Sequence, residues 1–233
     1  MRFNPRSMLF VSGEKTERFA KAMASGADLV CIDLEDAVHP ARKAEARAQV
    51  LAWLQAHPPG AGEPKRALRV NGVRTLEGLR DLVALADSGV PLDALLLPKT
   101  EAAADIQVLQ ATVGAQIGGI VALIETPLGI EQAAEISRAP LLALMLGGAD
   151  LSAELDASFD QQGLLYARGR LVNAAKAAGL QAWDVPHINL VDDAGLTAET
   201  RAVLALGFDC KTAIHPQQVA TIHAAFRPTP AEL

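Results

Sequence analysis

Short apolar runs alternate with longer amphipathic stretches along the whole chain, and no low-complexity linker divides them. The short runs predict strands at residues 7–12, 29–35, 67–71, 94–99, 117–125, 141–147, 180–185 and 211–215, because near-continuous hydrophobic segments of this length suit strands buried on both faces. The longer stretches carry apolar residues at helical spacing and predict helices at residues 14–25, 41–57, 75–87, 101–111, 127–138, 162–178, 197–206 and 217–226. Strand and helix therefore alternate with a repeat of roughly thirty residues, the length expected of a small (β/α)8 TIM barrel folded as a single domain. A doubly wound open sheet is the rival architecture. It lacks support at the first turn, where Ser12-Gly13-Glu14-Lys15 leads straight towards the helix without a Gly-rich phosphate fingerprint.

Composition narrows the function more than the fold. A chain of 233 residues that is 50% hydrophobic can bury one large core. A net charge of -6 leaves no basic field for a phosphate backbone, so a nucleic-acid binder is excluded. Cys31 and Cys210 are the two cysteines, both in apolar runs where the residue acts as a small hydrophobe, and neither a disulfide framework nor a zinc cluster is expected. Near Arg2 and Arg6 the apolar stretch before Ser12 is too brief for a signal peptide or a membrane span, which points to a cytoplasmic protein with no membrane partner.

Polar residues able to do chemistry recur where the expected strands end: Asp33, Glu35 and Asp36, then Arg69 and Asn71, Lys99, Glu125, Asp150, Asp184 and His215. A closed barrel brings those ends to one face, where a TIM barrel carries its site. Glu125 and Asp150 follow successive apolar runs, as single carboxylates holding a divalent cation would; each could instead cap the helix that follows. Arg69 lies within a strand-like run, so its guanidinium either pairs with a carboxylate such as Asp33 or Glu35 or binds an anionic ligand bidentately. Asp33 and Glu35 share one face of an extended segment and could orient Arg69 and metal-bound water, act as a base, or begin a helix. Lys99 reads as a member of an ion pair rather than a Schiff-base nucleophile, Asp184 as a strand end bound by the Val185-Pro186 turn, and His215 as a rim or core histidine.

The motifs Arg6-Ser7-Met8-Leu9-Phe10-Val11, Asp33-Leu34-Glu35-Asp36-Ala37-Val38, Arg69-Val70-Asn71, Leu97-Pro98-Lys99-Thr100-Glu101, Leu123-Ile124-Glu125-Thr126, Gly148-Ala149-Asp150-Leu151 and Ile214-His215-Pro216-Gln217 together resemble the citrate lyase beta-subunit-like proteins. Their order and spacing agree over nearly the whole chain. The resemblance implies the wider HpcH/HpaI aldolase and citrate lyase superfamily, a TIM barrel, a Mg2+ site on Glu125 and Asp150, and Arg69 as the substrate-binding arginine. It implies cleavage of a 3-hydroxy-acyl-CoA thioester of the citryl-, malyl- or citramalyl-CoA type to a 2-oxo acid and acetyl-CoA, with Asp33, Glu35 or a metal-bound water as the base, in a homo-oligomer, expected to be a trimer. A metal-dependent aldolase acting on free 2-oxo acids and a non-catalytic subunit of a larger lyase are the alternatives. Three positions depart from the family pattern and are expected on the site's rim: Ser12, Asp156 after Leu155, and Cys210. The chain also ends at Thr229-Pro230-Ala231-Glu232-Leu233, where many relatives are expected to continue into a segment that covers the site.

Overall fold

In the computed structural model, which describes residues 3–228, all eight expected strands form, each of four to six residues. They are β1 (Ser7–Ser12), β2 (Leu29–Asp33), β3 (Lys65–Arg69), β4 (Ala94–Leu97), β5 (Ile120–Ile124), β6 (Ala143–Leu146), β7 (Gln181–Asp184) and β8 (Cys210–Ala213). Each pairs in parallel with its neighbour in sequence, and β8 returns to β1 with Met8 opposite Thr212, which closes the sheet. The open-sheet rival is thereby excluded and the (β/α)8 barrel stands. The helices are α1 (Phe19–Met23), α2 (Lys43–Ala56), α3 (Leu76–Ser88), α4 (Ala103–Val113), α5 (Pro127–Ile136), α6 (Gly148–Glu154), α7 (Leu165–Ala177), α8 (Asp193–Leu206) and α9 (Gln217–Ala225). Arg2 and the terminal Thr229 to Leu233 lie outside the described residues.

Strand alternation sorts the core into two bodies. Met8, Leu29, Cys31, Ala67, Ala94, Leu96, Val121, Leu123, Ala143, Met145, Trp183 and Cys210 pack together inside the barrel. The intervening strand residues, among them Leu9, Val30, Ile32, Leu68, Leu95, Ala122, Ile124 and Leu144, pack outward against the helices. Both cysteines are free and buried, as small hydrophobes should be, and burial pushes both thiols well above their ordinary range. Cys210 is in the barrel's interior and not on the site's rim, because it opens β8 rather than ending it.

Element boundaries depart from the expected ones for identifiable reasons. β2 stops two residues early because the Asp33 carboxylate accepts the amides of Glu35 and Ala37, turning the chain out of the sheet. β3 begins at Lys65 rather than Ala67 because the charges of Lys65 and Arg66 are met by Asp93 and Glu63, which lets polar residues enter the sheet. The first expected helix is a tight turn at Thr16–Arg18 followed by the short α1. The helix α6 had no expected counterpart, and it carries Asp150 in its first turn.

Behind β7 and β8, Lys211 is wholly buried and its ammonium reaches Asp184 Oδ2 at 2.7 Å and Glu199 Oε1 at 2.6 Å. Arg168 completes the cluster on Asp184 at 2.9 Å. Removing one partner of such a set strands a buried charge, so Lys211→Met is expected to cost about 3–5 kcal/mol in urea unfolding. A loss below about 1 kcal/mol would mean that the cluster contributes little to stability.

Candidate active site

The interior alternation carries the chemistry. Two residues beyond Cys31, Ala67, Leu123 and Met145, the next inward positions are Asp33, Arg69, Glu125 and Gly147. The apolar filling of the barrel thus gives way, one step later, to charged groups at the C-terminal ends of the strands, the face on which TIM barrels place their sites.

Arg69 and Asp33 meet side by side, since β2 and β3 pair them in register. Arg69 Nε donates to Asp33 Oδ1 at 2.7 Å and Nη2 to Oδ2 at 2.6 Å, a bidentate fork. With the amides of Glu35 and Ala37, Asp33 accepts four hydrogen bonds, which uses the lone pairs of both oxygens. The remaining Nη1 of Arg69 lies 3.1 Å from Glu35 Oε2 and 3.5 Å from Asp36 Oδ2. Burial lowers the guanidinium's pKa, but Asp33, Glu35 and Asp36 outweigh it and raise the net value. The ring of Phe10 packs 5.1 Å from the guanidinium carbon.

Glu125 is wedged into place. Its Oε1 accepts the Lys99 amide at 2.8 Å, and a Cβ placed on Gly147 would come within 2.4 Å of its Oε2, so only glycine fits there. The Lys99 ammonium lies 3.6 Å from Glu35 Oε1 and 3.3 Å from Asp150 Oδ2. Lys99 therefore links the three carboxylates of Glu35, Glu125 and Asp150. Its own pKa is lowered by burial and raised more by Glu35 and Asp150, with a net rise.

Burial, and then the charge of Glu35, push Glu125 up to about 8. Burial also raises Glu35 to about 7, with Arg69 opposing and Asp36 and Asp33 adding to the rise. Both folded values exceed the ordinary 4.5, so folding favours the protonated acids. That contribution is complete below about pH 4.5 and is lost as pH rises through about 7 and then 8. Chelator-treated protein is accordingly expected to melt at lower temperature at about pH 9 than at about pH 5, and Glu125→Gln should flatten the slope. An identical slope in the variant would show that Glu125 does not titrate in this range.

The other strand-end residues separate. Asn71 is turned behind β2, where its side-chain amide donates to Asp81 and Leu34 O and its oxygen accepts from Lys43. Asp184 faces the helices and serves the Lys211 cluster, so it is structural. His215 does not touch the carboxylates; it lines a cavity of about 660 Å3 together with Phe10, Ser12, Arg18, Lys21 and Ile214. Phe10 joins that cavity to Arg69. Of the residues not singled out from sequence, Gly147 and Lys43 matter most: one confines Glu125, and the other donates to the carbonyls of Leu34 and Glu35 and to Asn71, pinning the chain beyond β2.

Among the described residues, no three His, Cys, Asp or Glu side chains converge closely enough to hold a metal ion alone. The donor set suits Mg2+ rather than a full protein cage, because Mg2+ is commonly held by one or two carboxylates with water and substrate oxygens. The raised values of Glu35 and Glu125 come first from burial and then from the neighbouring carboxylates, against the lowering effect of Arg69.

Residues 6–216 match the family described as HpcH/HpaI aldolase/citrate lyase. The chain belongs to this family. Over 98% of its length it is 34% identical to citrate lyase subunit beta of Leuconostoc mesenteroides subsp. cremoris, covering 78% of that protein. It is 37% identical to a (3S)-malyl-CoA thioesterase of Cereibacter sphaeroides, again over 98% of this chain and 79% of the relative. Among solved structures, CitE of Mycobacterium tuberculosis in complex with magnesium, acetoacetate and coenzyme A superposes with a TM-score of 0.85 at 35% identity, covering 99% of this chain and 84% of that one. Family membership agrees with the closed barrel.

Proposed function

We propose that the protein is a Mg2+-dependent carbon-carbon lyase that cleaves a 3-hydroxy-acyl-CoA thioester of the citryl-, malyl- or citramalyl-CoA type into a 2-oxo acid and acetyl-CoA. The observation that carries this reading is the convergence of Glu35, Glu125 and Asp150 on Lys99 beside a forked Arg69, at the mouth of a lyase-family barrel. The magnesium and coenzyme A in the complex of the Mycobacterium tuberculosis relative support it.

Glu125 and Asp150 would hold Mg2+, which when bound polarises the substrate's carboxylate and hydroxyl oxygens. Glu35 is the base that takes the hydroxyl proton. Its raised pKa, about 7, suits proton transfer near neutrality, and its Oε2 is buried with no aligned hydrogen-bond donor. Asp33 is poorly placed for that task, with every lone pair engaged; it orients Arg69 instead. As the hydroxyl proton leaves, the C3 oxygen forms the carbonyl of the 2-oxo acid and the C2–C3 bond breaks. Its electron pair passes into the thioester, giving the acetyl-CoA enolate, which is then protonated at carbon. Arg69 offsets the negative charge that develops on the thioester oxygen. The cavity beside Phe10 takes the thioester arm, with Arg18 and Lys21 available to the nucleotide's phosphates.

A panel of citryl-, malyl- and citramalyl-CoA assayed with Mg2+ or EDTA tests the proposal. Metal-dependent acetyl-CoA and a 2-oxo acid are the expected products. No turnover of any thioester would overturn it. A second reading, hydrolysis of the thioester, is favoured by the relative called a malyl-CoA thioesterase; free CoA with the intact hydroxy acid would select it. We also place the protein in the cytoplasm, where its thioester substrates occur; among the described residues no helix is long and apolar enough to cross a membrane. The assembly we propose is a homotrimer. Exposed Leu76, Leu79 and Val83 on α3 and Leu128 and Tyr166 across α5 and α7 supply apolar surface for it, and light scattering reads the mass.

A further inference from the structure

We propose that Lys99 is a resident counter-cation of this site, whose ammonium holds Glu35 and Asp150 together in the unloaded protein and is displaced from them when Mg2+ binds. The inference rests on the Mg2+ reading given under the proposed function. Lys99 adopts φ 51°, a left-handed conformation that side chains with a Cβ avoid. It is held there by two backbone bonds: its own amide to Glu125 Oε1 at 2.8 Å and the Thr100 amide to Leu123 O at 3.1 Å. This unusual turn aims the amide at one carboxylate and the ammonium at two others.

The two halves of the residue differ in freedom. The amide is fixed on a buried carboxylate, whereas the side chain is half exposed and ends in ion pairs of 3.3 and 3.6 Å. The pair with Asp150 is partly exposed on both sides, and pairs of that kind are weak and readily exchanged. A divalent ion held by Asp150 and Glu125 would compete with the ammonium for the Asp150 carboxylate and, with twice the charge, would repel an ammonium nearby. The lysine tip then turns to the mouth of the barrel, where it meets incoming anionic substrate, while its amide continues to orient Glu125. Its single charge keeps the carboxylates gathered before loading at the cost of competing with the metal.

Two measurements on the chelator-treated full chain test this. Calorimetric titration with MgCl2 is expected to show Lys99→Met binding Mg2+ roughly three- to tenfold tighter than wild type, with Lys99→Arg close to wild type. Lys99→Gly, which relieves the left-handed turn and keeps the amide, should tighten binding in the same way if the methionine variant folds poorly. Amine acetylation read by peptide mass spectrometry should be faster at Lys99 with Mg2+ than with EDTA. Unchanged or weaker Mg2+ binding in the Met and Gly variants, or labelling of Lys99 that ignores Mg2+, overturns the displacement. Absence of Mg2+ binding by wild type and variants alike would overturn the metal reading itself, and the counter-cation role with it.

Discussion

Glu125→Gln is expected to lower Mg2+-supported kcat/KM by about 10³-fold or more, on the scale of losing a preorganised electrostatic group from a closed site. The substitution is nearly isosteric. The Lys99 amide can still donate to the remaining oxygen, and Gly147 still confines the side chain, so neither geometry nor packing should change. What disappears is one negative charge on the proposed metal ligand. Stability should move the other way. Burial and the charge of Glu35 hold the Glu125 carboxyl at about 8, so its ionised form is disfavoured in the folded protein, and a permanently neutral side chain relieves that cost above neutral pH. Loss of turnover and Mg2+ affinity with an equal or higher melting temperature in EDTA is therefore the expected pattern. Activity within tenfold of wild type would remove Glu125 from the metal site.

Arg69→Met is expected to fail on both counts, because on the proposed reaction the fork serves structure and chemistry together. The variant leaves Asp33, whose side chain is 1% exposed, and the neighbouring Glu35 without their main cation. Breaking a buried pair in this way costs about 3–5 kcal/mol, and turnover should fall by about 10²–10³-fold with the loss of charge at the thioester oxygen. Arg69→Lys retains a charge but cannot reproduce two parallel bonds to Asp33 while reaching Glu35, so its activity should also drop. The double variant Arg69→Met with Asp33→Asn separates the roles. Part of the stability should return because the stranded carboxylate is gone, while activity should not. A double variant as unstable as the single one would show that the pair is not what stabilises β2 against β3.

Strand and helix order was legible from sequence because burial on both faces leaves unbroken apolar runs, and eight such runs bound the architecture. Glu125 and Arg69 were legible for a related reason: a charge at the end of an apolar run needs a partner or a task. Asn71 and Asp184 met the same criterion and yet turned away from the site. Position at a strand end does not say which side of the sheet a residue faces. For Asp184 parity does, since it is one step from the interior Trp183, whereas Glu125 is two steps from the interior Leu123; Asn71 keeps the inward parity of Ala67 and Arg69 but lies beyond the end of β3, where Asp81 and Lys43 hold its side chain. Lys99 could be read only as an ion-pair member, because its left-handed backbone depends on the Glu125 contact between β4 and β5, which no local pattern encodes. Asp150 was read as the end of an apolar run, but its place is in α6, a helix of seven residues too short to show a period.

The apolar filling below the charged ring has a kinetic consequence. Trp183, Met8, Leu29 and Cys210 are buried within it, and the Trp183 indole donates to Gln181, whose amide in turn donates to the Phe3 carbonyl. The barrel is stoppered from beneath, so traffic has one doorway. A fragment seated against the carboxylates must wait for the bulkier thioester arm to clear the mouth. On the proposed reaction, departure is expected to be sequential, with the coenzyme-bearing product first and the small keto acid last, so that the small acid competes with fresh substrate for an empty vessel in product-inhibition assays.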